Sequence, residues 1–159
     1  MANIHNNMEE DKTFVQESNK FTKSVTATLT PMFGEPFQVA VTLPTQRPAL
    51  DKRNSIPITC HISSNGCATE FGCCIYSISR HSKSGDEDKV EILQSVVNNS
   101  EDSLFDSTKR LSYLICKKFN CPTYLSVSGQ LQIDDQMMVT KEVMLFLNQS
   151  IAELGDEAK

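Results

Sequence analysis

The fold is decided by residues 103–154, SLFDSTKRLSYLICKKFNCPTYLSVSGQLQIDDQMMVTKEVMLFLNQSIAEL. Apolar residues at helical spacing predict a first helix that begins at Ser103, where Asp106 completes a short capping-box signal, and ends before Pro122. The β-branched and aromatic residues at 123–128 predict a strand, and a second helix is predicted from Gln136 to Leu154. None of these elements carries a set of catalytic residues, which favours a protein that acts through its surfaces.

Five more strands are predicted upstream, from apolar residues that alternate with polar ones or form short apolar runs. They span residues 24–29, 37–42, 56–63, 71–78 and 90–97. Asn65-Gly66 predicts a two-residue turn between the third and fourth strands, and the charged stretch Arg80–Lys89 predicts a loop. Strands first and helices last predict an α+β fold: one six-stranded, mainly antiparallel sheet with two long C-terminal helices packed on one face.

Length and composition predict one domain over residues 21–157, preceded by a flexible extension over residues 1–20. The net charge of −5 argues against a nucleic-acid surface and is ordinary for a soluble domain. The first twenty residues lack the features of a targeting signal, and apolar runs are too short to cross a membrane. We therefore expect a location in the cytoplasm or the nucleus.

The fourth strand, Phe71–Ile78, is predicted to be apolar on both faces. Two helices packed on one face of the sheet cannot cover its other face. Because large solvent-exposed apolar patches are uncommon, we expect a partner chain to cover that second face. The alternative is that the N-terminal extension or residues 44–55 cover it. The predicted partner-binding residues are Phe71, Cys73, Ile75, Tyr76 and Tyr124. In the final helix, the predicted core residues are Met137, Met144, Leu147, Ile151 and Leu154.

The sequence offers no constellation for catalysis, a cofactor or a metal. The residues that could suggest a zinc site are Cys60, His61, Cys67, Cys73 and Cys74. They lack a Cys-x-x-Cys pair, and neighbours in a strand point to opposite faces, which also separates Cys60 from His61. Asp134-Asp135 is expected to cap the second helix. We therefore predict that the chain is not an enzyme and that it binds no cofactor or metal.

The segment KKFNCPTYLS at 117–126, which ends a helix beginning near Asp102, resembles the fungal proteasome chaperone 4 family. The final helix, ending AELGDE at 152–157, is also similar to that family. Upstream, SIPI at 55–58 and CCIYSI at 73–78 match more loosely. The resemblance covers residues 21–157 and is most specific over residues 102–157.

The resemblance implies a small non-enzymatic chaperone with one antiparallel sheet and flanking helices. It implies a heterodimer with the related proteasome chaperone 3, which binds the alpha-5 subunit of the 20S proteasome and guides early assembly of the alpha-ring. The competing expectation is a small dimerisation scaffold of the longin or roadblock type, which serves a trafficking or signalling complex. Five strands before the first long helix count against that scaffold.

Overall fold

The computed structural model describes residues 16–64, 70–84, 87–129 and 136–154, which form seven strands and two helices. The strands are β1 Gln16–Ser18, β2 Thr22–Leu29, β3 Phe37–Pro44, β4 Ile58–Ser64, β5 Phe71–Ser84, β6 Glu87–Asn99 and β7 Thr123–Ser128. A 3-10 turn at Asp102–Leu104 leads into α1, Phe105–Phe119, and the chain continues to α2, Gln136–Glu153. Within these residues, neither helix is long and apolar enough to span a membrane.

All strands belong to one sheet, in the order β1-β2-β3-β4-β7-β5-β6. Every neighbouring pair is antiparallel except β4 and β7, which are parallel. The predicted α+β class with a mainly antiparallel sheet is therefore confirmed. The six longer strands correspond to the six predicted ones, and the three-residue β1 is an addition.

The last strand of the chain, β7, lies in the interior of the sheet between β4 and β5. The strands on either side of Asn65-Gly66, β4 and β5, are therefore not hydrogen-bonded neighbours, as they would be in a hairpin. A turn signal depends only on a few neighbouring residues, whereas the strand that lies between β4 and β5 in the sheet is β7, which comes much later in the chain. Residues 65 and 66 themselves, like Asp134-Asp135, lie outside the described residues.

The predicted loop at Arg80–Lys89 is also wrong, because β5 and β6 remain paired across most of it. Their register runs through Arg80↔Glu91 to Ser84↔Glu87. A ladder is made by backbone groups, so charged side chains at the end of a hairpin do not prevent pairing even where the apolar alternation has stopped.

Two details of the helices differ from expectation. The side chain of Glu101, rather than Ser103, accepts the capping bond, from the backbone N–H of Ser103 at 3.3 Å. Met137 was expected in the core but is 77% exposed. The buried face of α2 consists of Val139, Val143, Phe146, Leu147, Ser150 and Ile151. Because apolar residues surround α2 on several sides, helical spacing alone did not identify this face.

The core is one hydrophobic cluster that joins the sheet to both helices. Alternate residues of β2, β3, β4, β5 and β7 contribute to it, and so do Ile115 and Phe119 from α1 and Val143 and Leu147 from α2. The division into an extension over residues 1–20 and a domain over residues 21–157 stays a prediction. Gln16–Ser18 already pair with β2, and residues 1–15 lie outside the described part.

The corner between α1 and β7 is built around Asn120, a buried residue in the left-handed conformation with φ of 50°. Its side-chain N–H donates to the Lys52 carbonyl at 2.8 Å, and its side-chain oxygen accepts from the Ser79 hydroxyl at 2.8 Å. The side chain of Asn54 donates to the Asn120 carbonyl at 2.9 Å. These bonds satisfy the end of α1 and attach it to both the β3–β4 connection and β5.

Replacing Asn120 should therefore destabilise the whole domain in a graded way. Asn120→Gly keeps the backbone conformation but leaves buried partners without a bond, which costs about 1–3 kcal/mol. Asn120→Ala adds left-handed strain of about 1–2 kcal/mol. Denaturant unfolding should rank wild type above Asn120→Gly above Asn120→Ala. The exposed Gln149 on α2 is a control, and Gln149→Ala should stay within about 0.5 kcal/mol of wild type. Equal stability of all four proteins would contradict this role.

Five cysteines lie buried in the described part of the chain: Cys60, Cys73, Cys74, Cys116 and Cys121. Burial raises the pKa of Cys60 and Cys121 to about 12 and that of Cys116 to about 11. It also raises the pKa of Cys73 and Cys74. The thiolate form is therefore disfavoured in the native state, as expected for cysteines that serve as small apolar groups.

We expect the native chain carrying Cys67→Ser to react slowly with a thiol-specific reagent at neutral pH, and to react fully once it is unfolded. Because the folded pKa values lie above the unfolded value of 9.0, these thiols leave stability unchanged below that pH and lower it as the pH rises further. A thiol that reacts rapidly in the native variant would contradict the burial of this set.

Candidate partner-binding surface

The sheet presents a second face made by the residues that alternate with the core residues. On β2, β3 and β4 this face is polar and exposed, with Thr26, Gln38 and Thr59 as examples. On β7 and β5 it is aromatic. The open face thus changes in character from polar to apolar along the strand order.

The aromatic part begins at a bulge in β5. Phe71 pairs with Ser128 and Cys73 with Val127, so two steps on β5 match one step on β7. The bulge places Phe71 on the open face and Cys73 in the core. Gly72 allows this close approach, because a Cβ atom there would lie 2.8 Å from the Val127 carbonyl oxygen.

Four rings form what we call the aromatic patch: His61, Phe71, Tyr76 and Tyr124. Tyr76 and Tyr124 are direct cross-strand partners with ring centroids 4.5 Å apart. The His61 ring stacks on Phe71 with centroids 6.5 Å apart. Phe71 is 49% and Tyr124 is 40% exposed. Cross-strand aromatic pairs of this kind stabilise a sheet and also supply large rigid surfaces for binding.

The patch continues toward the edge of the sheet through Ile78 and Leu93. These residues are cross-strand partners on β5 and β6, so they share a face with Tyr76. Ile78 is half-buried and Leu93 is exposed. An apolar surface that spans several strands and is bordered by polar residues is typical of a protein interface.

His61 also makes a polar contact that the sequence did not indicate, because its partner lies 65 residues away. Its Nδ1 lies 2.6 Å from the Ser126 hydroxyl on the adjacent β7. Burial lowers the pKa of the His61 imidazole, which favours its neutral form. The bond fixes the plane of His61 against Phe71.

A serine in contact with a histidine is also the arrangement of a catalytic nucleophile and its general base. Here Ser126 lies within an interior strand whose backbone pairs with β4 and with β5. The backbone N–H groups around it are therefore engaged in ladders rather than available as an oxyanion hole. Among the described residues, no group of three or more His, Cys, Asp or Glu side chains could hold a metal. The geometry suits a contact surface better than a reaction centre.

The structure separates the five residues predicted to bind a partner. Phe71, Tyr76 and Tyr124 lie on the open face, where they can contact another chain. Cys73 and Ile75 are buried in the core, at 0% and 1% exposure, and can influence binding only through packing. The sequence placed Phe71 with Cys73 and Ile75 because strict alternation does not anticipate the bulge at Gly72. A role for these residues in partner binding stays a prediction.

Comparisons with known proteins found a matching family model and a solved structure of similar fold. The family model of "20S proteasome chaperone assembly proteins 3 and 4" matches residues 5–148. The fold is similar to a chain in the crystal structure of "a novel chaperone complex for yeast 20S proteasome assembly", with a TM-score of 0.51 and 20% identity. That match covers 87% of this chain and 99% of the other. No curated protein sequence matches significantly. The family match spans most of the chain, which therefore belongs to the family of 20S proteasome chaperone assembly proteins 3 and 4.

Proposed function

We propose that this chain is a non-enzymatic assembly chaperone that pairs with a related chaperone, proteasome chaperone 3, through the open face of its sheet. The heterodimer binds the alpha-5 subunit and promotes early assembly of the 20S alpha-ring, in the cytoplasm or the nucleus. Family membership supports the role in proteasome assembly. It favours this function over a longin or roadblock-type scaffold.

The observation that carries the pairing is the aromatic patch. The core cluster takes residues from both helices and from one set of alternating strand residues. We infer that both helices cover that face and leave the other to a partner. Tyrosine, phenylalanine and histidine rings already held by cross-strand and stacking contacts lose little side-chain entropy when a partner docks.

The patch is tested by the double substitution Tyr76→Ala/Tyr124→Ala in the full-length chain. Removing one tyrosine that dominates an interface costs about 2 kcal/mol or more, so loss of both rings should raise the dissociation constant for proteasome chaperone 3 at least about thirtyfold. Calorimetric titration measures this change. Tyr113→Ala, which removes an exposed tyrosine from α1, is the matched control and should bind as wild type does. The pairing surface is elsewhere if the control weakens binding and the double variant does not.

Deleting the protein from its native cells tests the chaperone role itself. We expect fewer mature 20S particles and an accumulation of incomplete alpha-ring intermediates, most strongly at raised temperature. Native gels with subunit identification by mass spectrometry measure both. Restoring the wild-type chain should reverse the defect, and restoring the Tyr76→Ala/Tyr124→Ala chain should not. Normal particle levels and normal alpha-ring composition under heat stress would contradict the proposal.

A further inference from the structure

A chaperone that pairs through its open sheet face needs a second surface for the subunit it assembles. The helix side of the molecule contains a groove of about 610 Å³ between α1, the first turn of α2 and β6. Lys109, Arg110, Tyr113 and the carboxylate of Asp106 line it from α1, and Met137 lines it from α2. The charged side chains of the lining are two cations and one carboxylate, so the lining keeps a net positive charge. Its floor includes Gln94, whose side-chain N–H group donates to the Lys109 carbonyl at 2.8 Å and to the Ser77 hydroxyl at 3.0 Å. The floor is therefore held in place by bonds to both β5 and α1.

The charge of α1 is opposite in sign to that of the whole chain. The helix α1 carries four cationic residues and one acidic residue, for a net charge of +3, in a protein of net charge −5. Lys117 and Lys118 lie in the last turn, where cations are stabilised by the helix dipole. Lys109 and Arg110 lie in the first half of the helix, where the dipole does not stabilise a cation, and the ammonium of Lys109 lies 5.6 Å from the centroid of the Phe105 ring.

The groove also offers apolar contacts beside its cations. Met137 is exposed on the first turn of α2 although it contributes nothing to the core, and a flexible thioether adapts readily to different partners. The Tyr113 ring is exposed and has the ammonium of Lys117 5.6 Å from its centroid. Tyrosine and arginine are over-represented among the residues that dominate interface energetics.

We infer that this groove docks an acidic segment of the client protein, with carboxylates against Lys109 and Arg110 and an apolar side chain against Met137 and Tyr113. The identity of the client as a proteasome alpha subunit rests on the proposed function, whereas the chemistry of the segment rests on the groove. The groove and the aromatic patch are formed by different residues, so client and partner chaperone bind at the same time.

The test compares binding of purified alpha-5 subunit to the complex of this chain with proteasome chaperone 3, at low and at high ionic strength. The variant Lys109→Glu/Arg110→Glu should weaken binding at least about tenfold at low ionic strength, and high salt should narrow the difference. Two exposed cations that do not line the groove, Lys20 and Lys118, provide a control with the same change of charge. Lys20→Glu/Lys118→Glu should stay within about threefold of wild type. Unchanged affinity in the groove variant, or an equal loss in the control, overturns the inference.

A second readout separates this inference from the proposed function. The photo-reactive substitution Met137→p-benzoylphenylalanine is introduced into the full chain in its native cells, and the cross-linked peptide is identified by mass spectrometry. One outcome would keep the groove but reject alpha-5 as the client. In that outcome alpha-5 does not bind, Met137 cross-links to an acidic segment of another protein, and Lys109→Glu/Arg110→Glu abolishes that cross-link. Cross-links only to segments without acidic residues, or none, overturn the groove as a docking site.

Discussion

The architecture depends on the insertion of β7 between β4 and β5. β7 is parallel to one neighbour and antiparallel to the other, and it is the only link in the described sheet between β1–β4 and the β5–β6 hairpin. The pair Thr59↔Tyr124 joins residues far apart in the chain, so its formation carries a large loop-closure cost. The corner at Asn120 offsets part of that cost, because its side-chain bonds hold the start of β7 against the β3–β4 connection and β5.

The same strand connects stability to the surface that we propose for pairing. Leu125 and Val127 point into the core, while Tyr124 and Ser126 point to the open face. Tyr124 meets Tyr76 across one side of β7, and Ser126 meets His61 across the other. The aromatic patch therefore exists only when β7 is in place. A substitution that loosens the corner at Asn120 would disturb the aromatic patch although it changes no residue of the patch. Loss of partner binding after a core substitution therefore does not by itself locate the interface.

Much of the fold could be predicted because its elements have strong local signals. The end of α1, the strand at 123–128 and the second helix follow from helical spacing, a proline and β-branched residues. The position of β7 could not be predicted, since Asn65-Gly66 favours a hairpin and no local signal opposes it. At the surface, alternation places Tyr76 on the face opposite Ile75, although it does not show which of the two faces is open. Phe71 does not follow it, because one bulge at Gly72 reverses its direction. The groove beside Lys109 depends on how α1, α2 and β6 meet, which is not encoded in any single segment.

The three tyrosines of the chain allow the central claim to be measured in one experiment. Tyr76 and Tyr124 lie on the open face, and Tyr113 lies on α1. Hydroxyl-radical footprinting of the full chain, alone and with proteasome chaperone 3, reports the exposure of each ring. The account predicts that the partner protects Tyr76 and Tyr124 and leaves Tyr113 as reactive as before. Protection of Tyr113, with Tyr76 and Tyr124 unchanged, would contradict it.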